Sequence, residues 1–228
     1  MSLRVAEIFN SIQGEGIWMG TPSVFVRLSG CNLRCSWCDT PYASWKPEGP
    51  VLGLEEIVSK VKAFGSRHVV LTGGEPMLFE PIVELASKLR ELEHVITIET
   101  AGTVYREVPC DLMSISPKLS NSIPSDAEWK ERHDRTRLNF DALASLVEGY
   151  NCQLKFVVTS PEKDVPEIRS ILERLPGVQP DRVLIMPEGV EARALDERLR
   201  SLVPLSMETG WRLAPRLHVT LFGNKRGT

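Results

Sequence analysis

No apolar run in this 228-residue chain extends beyond a few residues, so no segment can cross a bilayer as a helix. Neither sign of charge dominates. Lys and Arg number 27 against 30 Asp and Glu, and a net charge of −3 supplies no broad positive field for nucleic acid or anionic lipid. The leading residues Met1–Glu7 contain no apolar signal core, so the cytoplasm is the expected compartment. No low-complexity tract, internal repeat or interdomain linker interrupts the chain, and residues 1–228 read as a single domain. Apolar residues at 42% and charged residues at 25% match an ordinary globular composition. A chain of this length buries roughly 70% of its unfolded surface without covalent staples. Disulfides are not expected in a reducing compartment, so the five cysteines need another explanation.

What is present is an alternation of strands and helices. Ser23–Leu28, Val69–Leu71, Val95–Ile98, Leu112–Ile115, Leu154–Val158 and Val183–Met186 read as about six core strands. Leu54, Ile57, Val58 and Val61 form a helical stripe, and Ile82, Leu85, Ala86 and Leu89 form a second one behind Pro81. Further helices are predicted from Phe140 to Glu148, from Val165 to Leu175, and around Leu195, Leu199 and Leu202. The tail Leu217–Phe222 reads as a last strand. Repeated β-α units imply a largely parallel sheet. The stretch 121–139 breaks the rhythm: it is dense in charge, poor in apolar anchors, and reads as a solvated insertion or loop.

Cys31, Cys35 and Cys38 form C-x3-C-x2-C directly after the first predicted core strand. Three thiolates so close can surround one soft metal centre. A zinc knuckle would want a fourth protein ligand, and no second pair follows. Cys110 and Cys152 lie alone beside strand-like segments and read as small buried hydrophobes. Three ligands on a four-iron cluster would leave one iron open, an arrangement suited to catalysis.

The triplet, with Trp37 before its last cysteine, resembles the signature of the radical S-adenosylmethionine superfamily. Thr72-Gly73-Gly74-Glu75-Pro76, ending the Val69–Leu71 strand, resembles that superfamily's second motif. Within it, Ile8–Gly16, Arg27, Cys38-Asp39-Thr40, Glu99–Thr103, Ser116-Pro117-Lys118 and Gln153-Leu154-Lys155 are similar, in order, to segments of the 7-carboxy-7-deazaguanine synthases. Gln13-Gly14-Glu15-Gly16 together with Cys38-Asp39-Thr40 is the most discriminating combination. A glycyl-radical-enzyme activase shares the triplet, but those two segments argue against it. A non-catalytic cluster- or zinc-binding module does not account for Gly73–Pro76 and the polar residues at strand ends.

The resemblance implies a partial (β/α) barrel, shortened relative to eight units, with its site at the C-terminal mouth of the strands. It implies a lyase of queuosine and deazapurine biosynthesis. Such an enzyme converts 6-carboxy-5,6,7,8-tetrahydropterin to 7-carboxy-7-deazaguanine with loss of ammonia, starting from hydrogen abstraction at C6 by a 5′-deoxyadenosyl radical. It further implies a 4Fe–4S cluster on Cys31, Cys35 and Cys38, S-adenosylmethionine, and Mg²⁺ on Thr40. Substrate would meet Ile12, Gln13, Gly14, Glu15, Arg27, Thr72 and His218, with Arg27 as a bidentate carboxylate clamp. The cofactor would meet Trp37, Asp39, Gly74, Glu75, Ser116, Pro117, Lys118, Lys155 and Glu188. Lys155, set in an apolar strand, requires an acidic or ligand partner. An electron donor such as flavodoxin or ferredoxin and a homodimer are further family expectations.

Overall fold

A computed structural model describes all 228 residues. Chain entry is by β1 (Ser2–Ile12), which turns back into β2 (Pro22–Leu28) as an antiparallel pair, Ile12 opposite Pro22 and Val5 opposite Leu28. A short β3 (Val51–Gly53) covers the outer edge of β1. From there the chain winds α1 (Leu54–Phe64), β4 (His68–Gly73), α2 (Ile82–Glu91), β5 (Val95–Thr100) and β6 (Leu112–Ile115). Two helices, α3 (Ala127–Thr136) and α4 (Phe140–Gly149), lead to β7 (Cys152–Val158). The remainder is α5 (Pro161–Glu173), β8 (Val183–Pro187), α6 (Ala192–Ser201), α7 (Val203–Thr209), β9 (Arg212–Leu213) and α8 (Leu217–Phe222).

One nine-stranded sheet results, in the order β3-β1-β2-β4-β5-β6-β7-β8-β9. Every pairing from β2 to β9 is parallel. The six predicted core strands are its centre, and the short β3 and β9 form its two free edges, where short strands limit unwanted pairing. The architecture is α/β and mostly parallel, open rather than closed. The apolar stripes of α1 and α2 are fully used: Leu54, Ile57, Val58, Val61, Ile82, Leu85, Ala86 and Leu89 are all buried. Gly65, at φ 73°, ends α1 in the left-handed conformation that side chains resist. Because the core strands run parallel, the segments leaving β2, β4, β5, β6, β7 and β8 all emerge at one end of the sheet. That geometry brings the motifs together.

Three elements differ from the sequence-based expectation. The segment Leu217–Phe222 is helix α8, not a strand. Its alternating Leu217, Val219 and Leu221 mimic period two, but only Val219 is buried and Leu221 is 53% exposed. The outer edge of β8 is already taken by β9, and Leu217 N–H donates to Gly14 O at 2.9 Å, turning the chain inward. Strand β1 had been legible only as a motif near its end, because a bulge between Val5 and Glu7 interrupts its alternation. The charged stretch 121–139 contains α3, capped by Asp126, with His133 fully buried while most of its charged side chains face solvent.

His68, at the start of β4, is buried between Ser23 Oγ at 2.6 Å and Thr97 Oγ1 at 2.8 Å, with Trp18 edge-on to its ring. Burial pushes its pKa down to about 4. The unfolded chain therefore binds the extra proton first, between pH 6.5 and about 4. Stability is complete above 6.5 and is lost as pH falls through that window, by on the order of 3 kcal/mol from this group. Urea unfolding at pH 7 and pH 4.5 should show a shallower loss for His68→Gln than for the wild type.

Candidate active site

A cavity of about 540 Å³ opens at the C-terminal ends of the parallel strands, a volume in the usual range for small-molecule sites. The loop leaving β2 carries Cys31, Cys35 and Cys38, and all three border this cavity. Leu33, Cys35 and Ala101 form a small apolar cluster, with Cys31, Trp37 and Cys38 packed on it. Leu33 N–H donates to the Cys31 sulfur at 3.3 Å, and Ser44 Oγ lies 3.1 Å from that of Cys38. Burial pushes the Cys31 thiol up to about 12 and that of Cys35 to about 11, so binding a metal there must expel protons. The three sulfurs line one cavity, and the N–H···S contact at Cys31 is of the kind that tunes iron–sulfur clusters. Cys110 and Cys152 lie outside the cavity, packed against the main core.

The turn after β4 is stitched to this loop. Gly74 N–H donates to Leu28 O at 3.1 Å, and Glu75 N–H to Gly30 O at 2.9 Å. A Cβ on Gly74 would stand 2.2 Å from Gly30 O, and one on Gly73, at φ 141°, would stand 2.1 Å from Leu28 O. These glycines serve backbone-to-backbone approach, and only then leave room for a ligand above. Glu75, expected at the cofactor, turns the other way. Its buried carboxylate accepts from Met77 N–H, Thr100 Oγ1 and Ala101 N–H at 2.8–3.0 Å and does not border the cavity. The reason is local: Glu75 caps the 3-10 turn Pro76–Leu78. Pro117 is also outside the lining, whereas Ser116 and Lys118 on either side belong to it. Lys118 Nζ donates to Ser116 O and Oγ at 2.8 Å and lies 5.8 Å from the centre of the Trp37 ring.

The same cavity carries a polar network. Glu99, from β5, accepts from Gln13 Nε2 at 3.1 Å and from Thr72 Oγ1 at 2.8 Å, tying the two side chains to one carboxylate. Gln153 pins the Gly14–Gly16 turn by accepting from Ile17 N–H at 2.8 Å while its amide donates to Ser114 Oγ at 2.7 Å. Ile12, Gly14, Arg27 and His218 line the cavity as well. A Cβ on Gly14 would meet His218 Nδ1 at 1.9 Å, so glycine is required for α8 to dock. Burial holds the His218 pKa down, against the pull of Glu15.

Four charges form a chain along the cavity floor. Lys155 bonds to Glu15, Arg216 Nε donates to Glu15 Oε1 at 3.1 Å, and Arg216 also bonds to Asp39. Burial alone would raise the Glu15 pKa, but Lys155 and Arg216 hold it far below the ordinary carboxylate range. The expected acidic partner of Lys155 is therefore Glu15. Glu188 borders the cavity, with its carboxylate turned outward to Arg198 Nη1 at 2.7 Å. Thr40 also lines the cavity, its hydroxyl 3.9 Å from the Cys38 sulfur. Glu99, although inside the family-like stretch Glu99–Thr103, Arg216, and the tail residues Asn224, Lys225, Arg226 and Thr228 were not anticipated as lining residues. A carboxylate inside β5, a strand of Val, Ile and Thr, was the signal for Glu99. Arg216 carried none.

The geometry is that of a radical S-adenosylmethionine protein, and residues 25–121 match the family model described as the Radical SAM superfamily. A 7-carboxy-7-deazaguanine synthase from Halobacterium salinarum is 44% identical over 98% of this chain and 91% of its own length. A second, from Rhodopirellula baltica, is also 44% identical, over 100% and 89%. The chain belongs to the 7-carboxy-7-deazaguanine synthase family. Its fold is like that of the crystal structure of QueE from Escherichia coli, with a TM-score of 0.72, 24% identity, and coverage of 96% and 95%. Membership of the radical S-adenosylmethionine superfamily brings a 4Fe–4S cluster and S-adenosylmethionine as cofactors, and the cavity is of a size that suits a small-molecule substrate.

Proposed function

We propose that this chain is a carbon–nitrogen lyase that converts 6-carboxy-5,6,7,8-tetrahydropterin to 7-carboxy-7-deazaguanine with loss of ammonia. The observation that carries this reading is that one cavity is lined by both sets of groups: the three cysteines, and Arg27 with the Gln13–Glu99–Thr72 network. When bound, the cluster and S-adenosylmethionine supply the radical that begins the rearrangement. The chain's own part is positioning. Arg27 offers its terminal nitrogens to the substrate carboxylate. Gln13, Thr72 and the ionised Glu15 present fixed acceptors and donors to the pterin edge, and His218 lines the same cavity. Trp37, Asp39, Gly74, Ser116, Lys118, Lys155 and Glu188 border the space assigned to S-adenosylmethionine. Glu75 and Pro117 support that space from behind. A flavodoxin or ferredoxin as electron donor, a homodimer, a single domain over residues 1–228 and a cytoplasmic location complete the reading. Anaerobic turnover of the pterin, with 7-carboxy-7-deazaguanine identified by mass, is the test; cleavage of S-adenosylmethionine without that product overturns it.

Mg²⁺ at Thr40 belongs to the same proposal. A hydroxyl suits a hard ion that keeps several waters, so Thr40 would hold Mg²⁺, and the ion would supply positive charge near the substrate carboxylate. Thr40→Ala should keep the iron content and the cleavage of S-adenosylmethionine. Its turnover should lose most of the response to added Mg²⁺ that the chelator-treated wild type displays. A wild type indifferent to Mg²⁺ removes the metal from the mechanism.

A further inference from the structure

Glu7 in β1 stands opposite Arg27 in β2. Its side chain is only 11% exposed, yet the reaction just described does not use it. Arg27 Nε donates to Glu7 Oε1 at 2.7 Å, and the Tyr42 hydroxyl donates to the same oxygen at 2.8 Å. Arg226, in the tail beyond α8, brings its Nε to 3.6 Å from Glu7 Oε2. Its guanidinium lies 4.0 Å from the centre of the Tyr42 ring, and its Nη1 donates to Glu48 at 3.0 Å. One largely buried carboxylate, still reached by solvent, thus ties together the hairpin, the loop beyond the cysteines and the C-terminal tail.

The consequence falls on Arg27. Its one side-chain hydrogen bond is made through Nε, and its two terminal nitrogens have no protein partner where the residue borders the cavity. The Phe9 ring backs the guanidinium at 5.8 Å and is itself stacked on Phe25. A guanidinium held at Nε and backed on one face presents its remaining edge as a two-pronged fork for a carboxylate. Held by Arg27 alone, Glu7 would cancel the charge the fork needs. Shared with Tyr42 and Arg226, it orients Arg27 without being satisfied by it alone. We propose that Glu7 is the positioning residue of the Arg27 fork and that Arg226 is the latch, closing the tail over the carboxylate end of the cavity. This rests on the reading of Arg27 as the clamp for the substrate carboxylate.

The experiment is calorimetric titration of the anaerobic, cluster-loaded enzyme with S-adenosylmethionine bound and no reductant present. Two ligands are compared: the 6-carboxylated pterin and the same pterin lacking its carboxylate. Glu7→Gln should weaken the carboxylated ligand about 10-fold, because misplacing a positioning group is costly. It should leave the other ligand within about twofold, because a pterin without the carboxylate makes no use of the positioned fork. Arg226→Ala should shift the carboxylated ligand alone, by about threefold to fivefold, as an exposed ion pair permits. Arg27→Ala should erase the preference for the carboxylate. If Glu7→Gln weakens both ligands equally, or neither, the positioning role is overturned. An unchanged Arg226→Ala overturns the latch. A preference that survives Arg27→Ala overturns the clamp reading and the proposal together. Tyr42→Phe withdraws one donor from Glu7 without touching a charge, and serves as the folded variant should Glu7→Gln not fold. It should reduce the same preference by about twofold to threefold, and equal effects on both ligands again overturn the positioning role.

Discussion

Alanine at any one of Cys31, Cys35 or Cys38 should reduce iron and sulfide content after anaerobic reconstitution and take pterin turnover to background. Alanine at Cys110 or Cys152 should leave both at the wild-type level. The contrast is spatial. The first three sulfurs share the cavity wall, on the apolar cluster of Leu33 and Ala101, while the other two pack against the main core. Two thiolates cannot replace three, because the unligated iron sites then meet water and the cluster loses its protein frame. Cys110→Ala and Cys152→Ala remove a partly buried sulfur at a cost of about 1–2 kcal/mol of stability. Iron analysis and the electron paramagnetic resonance signal of the reduced cluster decide the matter. Loss of the cluster in Cys110→Ala would remove the three-ligand assignment.

Arg216→Met should produce the largest structural effect of a single charge removal. The side chain is 8% exposed and bonds to Glu15, to Asp39 and to Gly189 O. It therefore fastens the 13–16 turn, the end of the cysteine loop and the segment leaving β8 to one another. Without it Glu15 keeps only Lys155, and Asp39 loses its partner. Removing one member of a buried charged network typically costs about 3–5 kcal/mol. The Asp39 share is smaller, because that carboxylate is 36% exposed and screened by water. Urea unfolding should reveal a loss of about 3 kcal/mol, equivalent to roughly 6–12 °C in Tm. In the triple variant Glu15→Gln/Lys155→Met/Arg216→Met the loss should be less than the sum of the single changes, because no buried charge is stranded. A Tm within about 1 °C of wild type for Arg216→Met would show that the chain of charges does not hold the floor of the site.

Much of the cofactor side is local in sequence and was therefore legible. The triplet spans eight residues, the Gly73–Pro76 turn directly ends β4, and helix stripes such as Leu54, Ile57, Val58 and Val61 report their own burial. The substrate side is different. Gln13 meets Glu99 across 86 positions, Arg216 meets Glu15 across 201 and Asp39 across 177. No periodicity links such pairs, so nothing in the residues around Arg216 marks it as a partner of Glu15 or Asp39. Glu75 illustrates the opposite case. Its motif is legible, yet its carboxylate is held away from the cavity both by the local cap on Met77 N–H and by the distant donors Thr100 and Ala101 at the end of β5.

What the amino-acid order determined alone was the set of elements with intact periodicity, the parallel arrangement that α-helical crossovers demand, and the chemistry of the cysteine loop. Each depends on residues within one or two turns of one another. Only the tertiary structure decided whether Leu217–Phe222 would be strand or helix, since its alternation fits a strand, but β9 takes the sheet edge and Gly14 O holds its first residue. Only it decided that Glu7, Tyr42 and Arg226 would converge behind Arg27, or that Lys155 would find Glu15. The physical reason is common to these cases. A buried charge is stable only beside its partner, and the partner is chosen by how distant strands and the tail pack, a choice that residue spacing does not encode.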